Sequence, residues 1–87
     1  MRYTYNAEGV CARTISFDIE GDVISNIEFN GGCDGNHKSI ASILDGSTVD
    51  FIEKRLTGIT CGFRDTSCGD QLAKGVRKAY DELQKNK

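Results

Sequence analysis

Arg13-Thr14-Ile15-Ser16-Phe17-Asp18-Ile19-Glu20-Gly21-Asp22-Val23-Ile24-Ser25-Asn26-Ile27-Glu28-Phe29 is the stretch on which the fold turns. Ile15, Phe17 and Ile19 alternate with Thr14, Ser16, Asp18 and Glu20, the period-two pattern of a strand with one buried face. Glu20-Gly21-Asp22 has turn chemistry. Beyond it, Val23, Ser25, Ile27 and Phe29 alternate with Ile24, Asn26 and Glu28. Two alternating runs joined by a Gly-containing turn predict a β-hairpin. Upstream, Arg2–Asn6 carries Tyr3 and Tyr5 on one side and reads as a third strand before the Glu8-Gly9 turn. The expectation is a three-stranded antiparallel meander with one apolar face to cover.

Downstream, Asn30-Gly31-Gly32 ends the sheet and the period becomes helical. Ile40, Ile43 and Leu44 form a short apolar stripe that stops at Asp45-Gly46. Ser47 with Asp50 three residues on resembles a capping box and predicts a second helix, with Val49, Ile52 and Leu56 inward and Gly58 at its end. The third helix has the clearest period. Leu72, Val76, Ala79, Tyr80 and Leu83 fall at i, i+4, i+7, i+8 and i+11, with Ser67 as N-cap and Asp70 at N3. Lys85 and Lys87 suit its C-terminal dipole. The predicted fold class is α+β: a three-stranded antiparallel sheet with three helices packed on one face, in a single domain over 1–87.

The chain has 87 residues, eleven Lys+Arg against thirteen Asp+Glu, and a net charge of −2. No basic face stands out, which argues against a nucleic-acid binder. Apolar runs are only a few residues long, so neither a membrane span nor a signal-peptide core is expected, and the chain reads as cytoplasmic. Its oligomeric state is open between monomer and homodimer, with Tyr3 and Tyr5 near an edge strand as a conceivable contact.

The four cysteines are Cys11, Cys33, Cys61 and Cys68, too few for a disulfide scaffold. In a reducing compartment they read as metal ligands, redox groups or buried small hydrophobes. Each falls on a turn, a loop or a helix start. Cys68 is the first residue of the third helix, and helix N-terminal N–H groups favour the thiolate, which is the ligand form. Four thiolates suit a tetrahedral zinc ion or an iron–sulfur cluster. Their spacings of 21, 27 and 6 residues are not those of CxxC zinc ribbons. His37 lies four residues after Cys33 and imidazole is a good zinc ligand; beside Lys38, a solvent-exposed or capping role is the stronger expectation. Asp34 and Asp65 are expected as plain loop carboxylates. Gly31–Asn36 lacks the residues of a phosphate loop.

Thr66-Ser67-Cys68-Gly69-Asp70-Gln71-Leu72-Ala73 resembles the TSCPD family, named for Thr-Ser-Cys-Pro-Asp. Gly9-Val10-Cys11, Gly31-Gly32-Cys33-x-Gly35-Asn36 and Gly58-Ile59-x-Cys61-Gly62 agree with it, so the resemblance runs from about Tyr3 to Tyr80 and takes in all four cysteines. Gly69 departs from the motif's proline. His37 stands where the family tends to have an apolar residue, which sets it outside the shared ligands. The resemblance implies a domain found as small proteins and as the C-terminal part of cobalamin-dependent ribonucleotide reductases. Small members are often labelled ribonucleoside-diphosphate reductase. Radical nucleotide reduction needs a large barrel, a radical source and a nucleotide site, so an 87-residue chain is expected at most as an accessory piece.

The layout is also similar to U-type iron–sulfur cluster scaffolds, which carry an Asp two residues after the first cysteine and a His just before the last. Arg13 and Ser67 stand at those places here. The expected function is therefore a metal-binding module in which Cys11, Cys33, Cys61 and Cys68 hold zinc or an iron–sulfur cluster, accessory to ribonucleotide reductase or another protein. The alternatives are a cluster-assembly scaffold and a dithiol/disulfide protein cycling Cys61 and Cys68.

Overall fold

The computed structural model describes residues 1–7, 9, 13–31, 34–59 and 66–85, with the backbone alone for 34–36. Three strands open the chain: β1 (Arg2–Asn6), β2 (Thr14–Glu20) and β3 (Val23–Asn30). Helix α1 (Asp34–Leu44), a two-residue strand β4 (Ser47–Thr48), and helices α2 (Val49–Leu56) and α3 (Cys68–Lys85) follow. The sheet is antiparallel throughout, in the order β1-β2-β3-β4.

The hairpin forms as its alternation predicts, with Ile15, Phe17 and Ile19 buried on one face of β2. Full burial of side chains this size stabilises by about 1.5–3 kcal/mol each. The alternation in β3 does not survive its own length. Asp18 pairs with Ser25 but Ser16 pairs with Glu28, so β3 holds one extra residue there. That residue is Asn26, at φ 50°. The bulge is tied on three sides. Its amide donates to Asp45 Oδ1 (2.9 Å), its side-chain Nδ2 donates to Asp18 Oδ2 (2.7 Å), and its carbonyl accepts from Arg2 Nη1 (2.7 Å). A bulge reverses the phase of the pleat. Ile24 and Ile27 are both buried as a result, and Val23, expected on the inner face, is exposed.

The sheet has four strands where three were expected. Val23 pairs with Thr48 and Ile24 with Ser47, and Gly46 N–H to Ile24 O and Val49 N–H to Asp22 O (2.8 Å each) pin the segment to the edge of β3. Ser47 is therefore strand, and the cap of α2 is Thr48, whose hydroxyl accepts from Phe51 N–H at 3.2 Å. Inside α2 the expected face holds: Val49 and Ile52 are buried and Leu56 packs on the core.

The stripe of α1 differs from expectation. Ile43 is 77 % exposed, while Leu44 is buried and Ile40 and Ala41 pack against the core. His37 completes that stripe at i, i+3, i+4 and i+7 with Ile40, Ala41 and Leu44. It is not the exposed or capping residue expected; it is only 5 % exposed. In α3, Leu72, Val76 and Ala79 are buried as predicted, with Tyr80 and Leu83 at the core's margin. Arg77 ties α3 to α2 through Asp50 (2.9 Å) and Glu53. The core is one cluster joining β2, β3 and all three helices. No helix among the described residues is long and apolar enough to cross a membrane.

Candidate metal centre

The N-terminus of α3 is built by the run Thr66-Ser67-Cys68-Gly69-Asp70. Ser67 is the N-cap: its hydroxyl accepts from Asp70 N–H (3.1 Å) and its carbonyl from Gln71 N–H (2.9 Å). This satisfies amides that the first turn otherwise leaves without partners. Cys68 then occupies the first helical position, as predicted, and is half-buried.

Asp70 does more than begin a helix. Its carboxylate accepts the Gly58 amide (2.8 Å) and the Thr66 hydroxyl, and Lys74 Nζ lies 3.7 Å away. Gln71 Nε2 donates to the same Thr66 oxygen at 3.0 Å. The Thr66 hydroxyl foremost, then the Gly58 amide and more weakly Lys74, hold the Asp70 carboxyl below its usual range, against burial, which pushes it up. Asp70 is 4 % exposed and its oxygens are committed to this network, so it acts as an anchor for the loop end.

Gly69 stands where the motif has proline, and no backbone strain requires glycine there. A Cβ on it would rest 3.5 Å from Leu56 Cδ2, an ordinary contact. Gly69→Ala is therefore expected to stabilise the protein by about 0.5–1 kcal/mol through helix propensity. Thermal denaturation should show a rise of roughly 3–6 °C.

Three other parts of the chain reach this helix start. Ala7 N–H to Arg13 O (3.0 Å) and Arg13 N–H to Asn30 O (2.8 Å) bring the ends of β1, β2 and β3 together at one end of the sheet. From there Gly9, two residues before Cys11, approaches Thr66 so closely that a Cβ on it would lie 3.2 Å from Thr66 Cγ2. In α1, which begins one residue after Cys33, His37 brings Nε2 to 3.0 Å from Cys68 Sγ. Gly58, three residues before Cys61, donates to Asp70. Cys11, Cys33 and Cys61 themselves lie outside the described residues, as do Asp65 and Lys87. The described flanks of all three cysteine segments thus meet residues 66–70.

Sulfur and imidazole nitrogen are the donor types that zinc prefers. Cys68 and His37 supply one of each, side by side. No group of three or more such donors is gathered among the described residues. His37, expected in a solvent-exposed or capping role, instead lies buried against Cys68; its i, i+3, i+7 relation to Ile40 and Leu44 is the sign that it faces inward.

The TSCPD domain matches residues 2–80, a span that contains the whole constellation. Neither a curated protein nor a solved structure is matched. With the match covering nearly all of the sequence and the motif forming the cap of α3, this chain belongs to the TSCPD domain family.

Proposed function

We propose that this chain is a small metal-binding module whose cysteines, Cys11, Cys33, Cys61 and Cys68, serve as the donors for one zinc ion or an iron–sulfur cluster. The observation that carries this reading is the meeting of Gly9, His37 and Gly58 with residues 66–70. Each is close in sequence to one of the other three cysteines. Along the chain, Gly9 is two residues from Cys11, His37 four from Cys33 and Gly58 three from Cys61. The free energy of metal binding of this kind becomes folding free energy.

A role in ribonucleotide reduction follows from the resemblance alone, as an accessory acting in trans. The resemblance to U-type scaffolds enters as layout: a hairpin sheet, cysteines at element ends, and one at the start of the last helix. A scaffold must release its cargo, which replaceable ligands favour. Arg13 and Ser67, at the places of the scaffolds' Asp and His, instead favour a closed site.

Cys68→Ser tests the reading. Bound metal per chain and melting temperature should fall together, because the same sulfur serves both. A variant with unchanged metal content and unchanged melting temperature overturns it.

A further inference from the structure

We infer that His37 is a direct ligand of the divalent ion held at Cys68, so that this chain has a mixed thiolate–imidazole centre where the family's motifs imply an all-cysteine one. The inference rests on the metal-module reading and narrows its donor set. His37 Nε2 reaches Cys68 Sγ at 3.0 Å across 31 positions of sequence. Two donors on one tetrahedral zinc ion stand about 3.5 Å apart, given bonds of about 2.3 Å to sulfur and 2.0–2.1 Å to nitrogen. A shift of half an ångström therefore converts this contact into shared ligation.

The ring is already aimed. It stacks on Phe29 with centroids 4.4 Å apart and planes at 20°, and it is 5 % exposed. Packing alone does not account for a histidine here. Its Nδ1 is buried with no hydrogen-bond partner among the described residues, a penalty that an apolar ring stacked on Phe29 would avoid. An imidazole ligating through Nε2 keeps its proton on Nδ1. On ligation the Cys68 thiol releases its proton to solvent, and the ion takes one lone pair from Sγ and one from Nε2. A tetrahedral ion has four places, so at most three cysteine sulfurs can then bind with His37.

The test uses the full reduced chain, without a histidine tag, titrated with Co²⁺ as the probe for zinc. The chain has a single histidine, which makes the signal unambiguous. Wild type should show thiolate-to-cobalt charge transfer, tetrahedral d–d bands, and one hyperfine-shifted, solvent-exchangeable imidazole N–H resonance. His37→Phe keeps an aromatic ring against Phe29. Its metal-free melting temperature should not fall, while its Co²⁺ affinity drops at least roughly tenfold and its d–d bands shift. Charge transfer in wild type without the imidazole resonance, or with d–d bands and affinity unchanged in His37→Phe, overturns the inference and leaves the metal module standing. The resonance needs no variant, so it decides the matter even if His37→Phe fails to fold. No charge transfer in wild type overturns the inference and, with it, the zinc form of the metal module.

Discussion

Asp70→Ala is expected to cost about 3 kcal/mol of folding stability. The carboxylate is buried and accepts two hydrogen bonds, from the Gly58 amide at 2.8 Å and from the Thr66 hydroxyl. Hydrogen bonds to a charged group contribute about 1.5–3 kcal/mol each, and removing the acceptor leaves buried donors without partners. In a chain this short, 3 kcal/mol lowers the melting temperature by roughly 12–20 °C. The pH dependence identifies the charge as the cause. Because the folded-state pKa of Asp70 is depressed, its contribution is fully present above the unfolded-state value of about 3.9 and is lost as pH falls toward and through the lower folded value. Acid titration of stability should therefore be shallower below about pH 4 in Asp70→Asn than in wild type. An acid limb of equal steepness in the two proteins would mean that the network contributes no such linkage.

Gly75→Ala is expected to destabilise by about 2 kcal/mol, although helix propensity alone predicts a gain of about 0.5–1 kcal/mol. The sign is decided by Tyr5 of the edge strand β1. A Cβ on Gly75 would lie 2.9 Å from Tyr5 Cγ and 3.1 Å from Tyr5 Cβ. These atoms are at the root of the side chain, so relief requires β1 itself to move away from α3. Chemical denaturation should show the loss, and Tyr5→Ala in the same chain should recover part of it as a coupling energy between the two sites. The same substitution at Gly69, in the same helix, is expected to stabilise. Two glycines one and a half turns or so apart thus give opposite signs, because only one faces a strand.

Much of this fold was legible because its periods are long enough to count. Ile15, Phe17 and Ile19 fix the inner face of β2, and Leu72, Val76 and Ala79 fix that of α3. The misses have local causes. Asn26 adds one residue to β3 and exchanges Val23 for Ile24 in the core, which alternation by itself does not signal. Strand β4 has two residues, fewer than one full period, and is held by main-chain bonds at Gly46 and Val49. At the site, the Ser67 cap, Asp70 at N3 and Cys68 at the helix start follow from the motif. The contact between His37 and Cys68 joins two helices that nothing in the linear pattern brings together. Composition near Lys38 suggested solvent, whereas the apolar stripe of α1 turns His37 inward.

The most direct test of the central claim is the metal and acid-labile sulfide content of the untagged protein, purified anaerobically without chelators. The metal-module reading predicts either one zinc ion per chain and no sulfide, or iron with sulfide in cluster proportion. Protein that carries neither, with four titratable thiols and no uptake of Zn²⁺ or Fe²⁺ plus sulfide, would contradict it.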